Sequence, residues 1–357
     1  MFKKLKFKIT FKKLFVSLFI LFVASCEKVD NTNLIESNLN KMNIKRCSTI
    51  DIIKKRSKKD KNYKDKMIYY SKYLKDNRIM DSDIKERYKN SNNIIHLKFV
   101  INQIYHKKKD KLNEDKVKKI LKSIEKDFNR KNKNYYLTPE EFKKKSGIGN
   151  FKFSLHKIRY RKYNRIKKFD DDTYDVHYYG YGGMNQFQNN KYVNIWVVDS
   201  FTDNSVLGYS SFPVEYKEDN DGVVIPLEEF TETVGDRKSK TMTHELGHFM
   251  GLMHIWGGFG LIDGEYIDGE EYPCKGSDFV SDTNNQSVSS PYGEELIHPR
   301  YSCGSKDMFQ NYMDYSSDKY LSFFTKGQIV RARNSFKKGL VRPNYGMKVS
   351  RYPMTLH

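Results

Sequence analysis

The sequence from residue 244 to residue 254, His244-Glu-Leu-Gly-His-Phe-Met-Gly-Leu-Met-His254, decides the fold prediction for this chain. Its first two histidines are four positions apart, so they lie on one face of a helix and can bind the same metal ion. Gly251 can adopt a positive φ, which lets the helix end and the chain turn His254 towards that ion. Three neutral imidazoles suit zinc, and a catalytic zinc site leaves its next coordination position to water.

A glutamate stands directly after the first of these histidines. Glu245 would accept a proton from the zinc-bound water, whose pKa the metal lowers, and would then pass it to the leaving amine. The pattern therefore predicts a hydrolytic site with His244, His248 and His254 as zinc ligands. Packing of the same histidines on an ordinary helix is the alternative, but it does not explain their fixed spacing relative to the glutamate and the glycine.

A second motif, Asn311-Tyr-Met-Asp-Tyr315, lies downstream. Together with the histidine motif it resembles the metzincin class of zinc peptidases, in which it would form the Met-turn. The resemblance implies that Met313 forms an apolar floor beneath the zinc. It also implies that Tyr315 donates a hydrogen bond to the developing oxyanion. An ordinary core methionine and a surface tyrosine are the alternatives.

More narrowly, the chain from about Ile94 to the helix after Thr325 resembles the pappalysin family of metzincins. The matching segments, in chain order, are Asp221-Gly-Val-Val-Ile225, His254-Ile-Trp-Gly-Gly258, Asp278-Phe-Val-Ser-Asp-Thr283 and Phe324-Thr-Lys-Gly-Gln328. The resemblance implies an α/β (α+β) fold. Its upper subdomain would hold a twisted mixed sheet and two helices, and its irregular lower subdomain the Met-turn and a C-terminal helix. It also implies an endopeptidase that hydrolyses internal peptide bonds of proteins in the cleft between them.

Two features of the predicted lower subdomain would stabilise its irregular chain. Cys274 and Cys303 are expected to form a disulfide because an exported chain meets an oxidising environment, with separate free thiols as the alternative. The family resemblance implies the same bridge and structural calcium. Asp278, Asp282 and the backbone of Thr283 are the candidate calcium ligands, since hard oxygen donors in a turn suit that ion. Solvated acids without an ion are the alternative.

The resemblance also bears on substrate choice. Family members that favour Arg, and sometimes Lys, directly after the scissile bond need an acid at the base of the pocket that receives this side chain. Asp318, shortly after the Met-turn, is our candidate for that acid. An acid on a surface loop is the alternative.

The N-terminus has the layout of an export signal. Six lysines among the first thirteen residues precede the apolar run Leu14 to Ser25, so we predict a signal peptide at 1–26. The run is too short to span a bilayer. Its end, Val23-Ala24-Ser25-Cys26, resembles the bacterial lipobox, in which a lipidated Cys26 would anchor the protein to a membrane of the cell envelope. An ordinary signal and an extracellular protein are the alternative.

The polar, Lys-rich stretch that follows, 27–91, is predicted to be an extended or partly helical pro-segment. Within it, Arg46-Cys47-Ser-Thr49 resembles the cysteine switch of pappalysin zymogens. A Cys47 thiolate on the zinc would displace the catalytic water and keep the enzyme latent. Ser48 stands where the family has glycine, and an exposed, unused thiol is the alternative. Activation would require cleavage between Cys47 and Ile94.

Regular patterns begin at the predicted catalytic domain, 92–345, which a tail at 346–357 follows. Apolar residues alternate from Ile95 to Ile101, as in a half-buried strand. Further strands are predicted at 151–155 and 192–198. Asn113 is a favourable cap for an amphipathic helix that ends near Phe128, and Thr325 opens a final helix through a capping box with Gln328.

Charge and composition limit the other classes of function. The formal net charge is +21, but the lysines are spread along the whole chain rather than gathered into one stripe. We therefore expect no nucleic-acid partner, and we expect a monomer that acts on proteins or peptides. Two alternatives stay open: a non-catalytic envelope lipoprotein that keeps a structural zinc site, and a zinc hydrolase that acts on other substrates. Glu245 counts against the first, and Met313 with Tyr315 against the second.

Overall fold

The computed structural model describes residues 46–89, 93–235, 238–257, 260–262, 265–267 and 272–336. The predicted signal peptide with Cys26 and the tail at 346–357 lie outside these residues. Every described residue belongs to the compact unit that begins at Ile44. Among the described helices, none combines the length and the apolar character that crossing a bilayer requires.

A five-stranded mixed sheet forms the frame of the domain. Its strands are β1 (Ile95–Tyr105), β2 (Phe151–Lys162), β3 (Val193–Val198), β4 (Tyr209–Ser210) and β5 (Gly222–Pro226). The order across the sheet is β2-β1-β3-β5-β4. All neighbours run parallel except β4, which pairs antiparallel with β5. The short strand β4 therefore forms one edge of the sheet.

The sequence patterns predicted the positions of three strands correctly, but two of the three strands are longer than predicted. The predicted strand at Ile95 is confirmed, and it continues to Tyr105 with buried residues on both faces. The strand predicted from 192 is also confirmed as β3, whose six residues are all buried. The strand predicted at 151–155 runs on to Lys162 because it pairs with β1 along its whole length. Pairing with a neighbour extends a strand beyond the stretch that local periodicity marks.

The described residues include six α-helices of six residues or more and several shorter helical pieces. The α-helices of six residues or more are α1 (Thr49–Lys59), α2 (Lys61–Asp76), α3 (Glu114–Phe128), α4 (Leu227–Glu232), α5 (Thr241–Phe249) and α6 (Lys326–Asn334). Shorter helical pieces lie at Asp81–Asp83, Ile84–Tyr88, Lys108–Asp110, Lys133–Leu137, Glu140–Lys143, Asp175–His177, Tyr179–Tyr181 and Pro213–Glu215. Two predicted caps are confirmed: Asn113 accepts from the Lys116 N–H at the start of α3, and Thr325 forms a reciprocal capping box with Gln328 before α6.

The main core lies between the sheet and helices α3 and α5. Side chains of α3, from Val117 to Phe128, and of α5, such as Leu246 and Phe249, are fully buried against strands β1 and β3. Burial of this kind contributes about 1.5–3 kcal/mol per large apolar side chain. The core thus holds the histidine-bearing helix α5 rigidly beneath the sheet, and the predicted α/β fold is confirmed.

The first described segment is more regular than its composition indicates. Helices α1 and α2 occupy most of the stretch from Thr49 to Asp76. In α2 the buried apolar residues recur at helical spacing, at Tyr63, Met67, Tyr70 and Leu74. They pack against Phe212 and Met253 of the domain. This period of three and four was present in the sequence, but the surrounding lysines masked it.

The lower part of the domain, 272–336, is largely irregular. Its described strands form one short antiparallel pair, Tyr301–Ser302 with Ser305–Lys306. Another hairpin, Gly260–Ile262 with Glu265–Ile267, precedes this part of the chain. In the upper part, Lys168–Phe169 pairs with Ser200–Phe201. The predicted disulfide between Cys274 and Cys303 is confirmed, with Cα atoms 5.3 Å apart. Closing this loop reduces the entropy of the unfolded chain where few strands are present to hold it.

Candidate active site

Three histidines converge at the C-terminal end of α5. His244 and His248 project from one face of the helix, and Gly251, with a φ of 85°, turns the chain so that His254 reaches the same point. The Nε2 atom of His248 lies 3.1 Å from those of His244 and His254, which are 3.2 Å from each other. All three rings are buried. The helix and its glycine turn therefore place the three predicted ligands together.

The protonation of these rings fits a metal site. The Nδ1 atoms of His244 and His248 lie 2.7 and 2.8 Å from the carbonyl oxygens of Tyr312 and Leu252, which assigns the ring proton to Nδ1. Burial lowers the pKa of His248 to about 4 and the pKa of the other two rings well below the usual value. Neutral rings present three Nε2 lone pairs to one point. Nitrogens of a tetrahedral zinc site lie roughly 3.3–3.4 Å apart, close to the spacing seen here.

A cysteine completes the cluster. The ligand atoms of Cys47 and the three histidines all lie within 4.8 Å of one another, and Cys47 is buried. The Thr49 N–H donates to the Cys47 Sγ atom at 3.3 Å. Burial, and secondarily the Glu245 carboxylate, raise the pKa of this thiol well above its usual value. Cysteine sulfur and histidine nitrogen both bind zinc, and four such donors match its tetrahedral coordination, so the residues fit that ion.

Glu245 lies beside the cluster with one oxygen engaged and one open. Its Oε2 atom accepts from the Thr49 hydroxyl at 3.2 Å and from the Cys47 thiol at 3.5 Å. Its Oε1 atom has no hydrogen-bond partner among the described residues. Burial raises the pKa of this carboxyl to about 8. The side chain is thus placed to bind a proton at the metal-binding point.

The two Met-turn residues border the same site. Met313 is fully buried, and a Cβ atom added to Gly247 would lie 2.5 Å from its sulfur, so only glycine lets the turn pack so closely under α5. The Tyr315 hydroxyl donates to the Cys47 carbonyl at 3.1 Å. The Tyr315 ring packs edge-on against His254, with ring centres 4.8 Å apart. The structure therefore brings both residues to the histidine cluster.

Asp318 lies at the other end of the Cys47 segment. Its Oδ1 atom accepts from Arg46 Nη2 at 2.7 Å and from the Lys240 N–H at 2.8 Å. Arg46 is fully buried, and it also donates to the Ser316 carbonyl at 3.1 Å. Asp318 is only 7% exposed, which differs from the alternative of a surface acid. The arginine of the switch motif thus fills the position that sequence analysis assigned to a substrate side chain.

The segment around Cys47 runs along the free edge of β4. The Ser48 N–H donates to the Gly208 carbonyl at 3.1 Å, and the Ser210 N–H donates to the Thr49 hydroxyl at 3.0 Å. Ser48 has a φ of −103°, which any residue adopts, so glycine is not required at this position. Its buried hydroxyl has no partner among the described residues.

The calcium candidates lie in one buried turn. The Oδ2 atom of Asp278 and the Oδ1 atom of Asp282 lack hydrogen-bond partners in the described part of the chain, and the third candidate ligand is the backbone oxygen of Thr283. Burial raises the pKa of Asp278 to about 7 and also raises the pKa of Asp282. Unpaired carboxylate oxygens are expensive to bury, and a hard cation is one kind of partner that satisfies them.

One supporting residue carries no signal in the sequence. Asp127, at the end of α3, accepts from Lys240 Nζ at 3.0 and 3.1 Å, from the Thr243 hydroxyl at 2.7 Å and from the Tyr312 hydroxyl at 3.0 Å. It thereby joins α3, α5 and the Met-turn, whose Tyr312 carbonyl orients His244. An aspartate in an amphipathic helix gives no hint of such a role, because its partners come from distant segments.

Comparison with known proteins decides the family. Residues 183–337 match the sequence model of the peptidase M43 family, described as pregnancy-associated plasma protein-A. The structure of mirolysin in complex with compound 9 is 30% identical, with a TM-score of 0.60 over 70% of this chain and 94% of that chain. This chain belongs to the M43, or pappalysin, family. The family prediction and the metzincin fold that it implies are thus confirmed.

Further M43 relatives extend the comparison. A promirolysin mutant of Tannerella forsythia is 29% identical, with a TM-score of 0.59 over 72% of this chain and 85% of that chain. An extracellular metalloprotease of Arthroderma otae is 35% identical over 113 residues, which are 30% of this chain and 36% of that protein. This chain spans between a fifth and a half of the length of the curated relatives that it matches.

Proposed function

We propose that this M43 protein is the latent form of a zinc endopeptidase that hydrolyses internal peptide bonds of proteins. The observation that carries the proposal is the position of Cys47, whose sulfur joins the Nε2 atoms of three histidines beside Glu245. Of the alternatives, a structural zinc site would have no need of a buried carboxylate whose second oxygen is open.

His244, His248 and His254 would hold the zinc, with Cys47 as the fourth ligand in the latent form. A zinc ion bound there would polarise a substrate carbonyl and acidify a water molecule. When Cys47 and Thr49 leave, the Oε2 atom of Glu245 loses both of its hydrogen-bond donors. Glu245 would then act as the general base, because its carboxylate lies 3.5 Å from the position of the Cys47 sulfur, which a zinc-bound water would take.

Tyr315 would act on the substrate carbonyl. Its hydroxyl donates to the carbonyl oxygen of Cys47 in the present state. A substrate peptide that replaces the Cys47 segment offers its own carbonyl oxygen to the same hydroxyl, and a donor at that point stabilises the charge that develops on the oxygen. Met313 would support this site from below through its contact with Gly247.

Asp318 would determine the residue that follows the scissile bond. Arg46 reaches it through a short charged hydrogen bond and also donates to the Ser316 carbonyl. A buried carboxylate beside a carbonyl matches the donors of an arginine side chain. We therefore propose that Asp318 receives the Arg or Lys of a substrate once the pro-segment has left.

Latency would depend on cleavage of the pro-segment, which we predict at 27–91. Its described part contacts the domain at several points, two of which bear on the site of cleavage. Residues 46–76 cover the histidine site, whereas Ile79 exchanges backbone hydrogen bonds of 2.9 Å with Phe279 and Ser281 of the lower part. A cut before Ile79 would free Cys47 and leave the second contact in place. The promirolysin structure is that of a pro-form of a related protein.

Three further proposals concern the surroundings of the enzyme. We propose that Asp278, Asp282 and Thr283 bind calcium, in support of the lower subdomain. From the sequence we propose a lipid on Cys26 that holds the protein at the bacterial cell envelope. The fungal relatives are extracellular metalloproteases, which supports export. We also propose that the enzyme acts as a monomer and has no nucleic-acid partner.

The proposed activity is tested with protein that lacks residues 1–26, activated by limited trypsin and incubated with a mixed peptide library. A Glu245→Ala protein treated in the same way removes the cuts that trypsin makes. New cuts that are absent from this control and abolished by a zinc chelator are the expected result, with Arg or Lys enriched after the cut. Equal cleavage by both proteins, with zinc bound and the pro-segment removed, would favour the non-catalytic binding module.

A further inference from the structure

A second arginine of the pro-segment is buried in a pocket of its own. Arg56, on α1, is 6% exposed. Its guanidinium carbon lies 3.6 Å from the centre of the Tyr174 ring, and its Nη2 atom donates to the Thr173 carbonyl at 3.3 Å. A guanidinium over an aromatic face is a favourable contact, which strengthens when water is excluded. Arg56 is thus held by its charged group and not by packing of its stem alone.

The walls of this pocket carry polar groups that Arg56 leaves unpaired. Both ring nitrogens of His177, the Tyr209 hydroxyl and the Nε atom of Arg56 are buried and have no partner among the described residues. The His177 ring stands edge-on to Trp196 at 4.4 Å, and burial together with the Arg56 charge lowers its pKa well below the usual value. A neutral His177 and a tyrosine hydroxyl are both able to accept hydrogen bonds.

An acid gives the pocket a negative end. Glu215 is 2% exposed, and its charge acts on Arg56. The carboxylate accepts from the Phe212 N–H at 2.8 Å and from the Asn220 side chain at 2.7 Å, which hold it in place. The Tyr63 hydroxyl of α2 donates to it at 3.4 Å and leaves together with Arg56 when the pro-segment is removed.

Arg56 and the Asp318 partner Arg46 lie on opposite sides of Cys47 along the chain. Arg46 precedes Cys47 and pairs with Asp318, whereas Thr49 and then Arg56 follow it along α1. The seven helical steps from Thr49 to Arg56 extend roughly 10 Å, at 1.5 Å per step. An extended substrate covers that distance in about three residues. Two basic side chains of the pro-segment thus bracket the sulfur.

We infer that Tyr174, His177, Tyr209 and Glu215 form a second substrate subsite, which takes a positively charged side chain about three residues or more before the scissile bond. The inference rests on the proposed peptidase function and on the Asp318 pocket as the site after that bond. Arg56 occupies the subsite in the latent form. Its departure uncovers an aromatic face, unpaired acceptors and a carboxylate together.

The test uses activated enzyme and matched peptides. All of the peptides carry Arg directly after the scissile bond, where Asp318 would bind it. The third, fourth or fifth residue before the bond is either arginine or citrulline, which has nearly the same shape but no charge. At one of these positions we expect kcat/KM to be about 2- to 30-fold higher for arginine, the range of a single guanidinium–ring contact. Tyr174→Leu should bring that ratio close to one. The control Tyr179→Leu, at an exposed tyrosine of the same loop, should leave the ratio unchanged.

A binding measurement separates failure of the subsite from failure of the peptidase proposal. Activated Glu245→Ala protein is titrated with the fluorescein-labelled arginine and citrulline peptides, and Kd is followed by anisotropy. Equal Kd values at all three positions, or equal kcat/KM values, would overturn the subsite and leave Arg56 as a latency contact alone. Tighter binding of an arginine peptide without cleavage by the unmutated enzyme would support the subsite while contradicting the peptidase function.

Discussion

Replacing Arg46 with methionine should release the segment around Cys47 from the histidine cluster. The change keeps an unbranched side chain but removes the charge that pairs with Asp318 at 2.7 Å. The Arg46 side chain is fully buried and that of Asp318 is 6% exposed, so the carboxylate would lose its cationic partner away from water. Removing one partner of such a pair costs about 3–5 kcal/mol. The Lys240 N–H and Tyr292 still donate to Asp318, so we expect the lower half of this range.

The lower half of this range, about 3–4 kcal/mol, corresponds to a roughly 140- to 720-fold larger open population, at tenfold per 1.4 kcal/mol. The assay is the reaction of Cys47 with a thiol reagent, because it is the free cysteine of the described chain. Protein that starts at Glu27 lacks Cys26, and a Glu245→Gln background prevents self-cleavage. When opening is fast compared with labelling, the labelling rate follows the open population.

Two variants control this measurement. Lys61→Met removes an exposed pair of the same segment, with Asp65, and should change the rate less than about 3-fold. The double variant Arg46→Met with Asp318→Asn leaves no unpaired buried charge. It should therefore destabilise the closed state by less than the sum of the two single substitutions. An Arg46→Met rate within about 5-fold of the parent, in a protein that stays folded, would refute the argument that this pair holds the segment closed.

Three further predictions concern other contacts. Ser48→Ala removes a buried hydroxyl that has no partner in the described residues, so Cys47 labelling should slow by up to about tenfold; faster labelling would contradict this. Asp127→Asn should lower the free energy of unfolding in urea by about 3–5 kcal/mol because the Lys240 ammonium stays buried, whereas Glu114→Gln on the same helix should change it by less than about 0.5 kcal/mol. Burial raises the pKa of Asp278 from 3.8 to about 7, so the folded protein holds this proton more tightly than the unfolded chain. In the presence of chelator, the free energy of unfolding should therefore be highest below pH 4 and should fall as the pH rises through 7. The total loss is at most about 4 kcal/mol. Calcium should restore the lost free energy of unfolding at pH 8 in the parent and should have little effect on Asp278→Asn. If the two proteins show the same dependence of stability on pH in chelator, the raised pKa of Asp278 is excluded.

The sequence alone determined the parts of this protein that depend on neighbours along the chain. The helical period places His244 and His248 on one face of α5, and Gly251 provides the turn that returns His254. Capping side chains marked the starts of α3 and α6 for the same reason, since a cap acts within three residues. Family resemblance then supplied the fold and the Met-turn, which a local pattern does not encode.

Tertiary structure decided the contacts that join distant segments. Arg46 meets Asp318 across 272 positions, and Asp127 meets Tyr312 across 185, so no spacing rule could have paired them. The helices of the predicted pro-segment were underestimated because their apolar stripe becomes informative only when Phe212 and Met253 are present to bury it. The Arg56 pocket combines side chains from α1 and several loops, whose paths depend on packing rather than on local propensity. Side chains brought together in this way gain their chemical meaning from mutual burial, which exists only once the chain has folded.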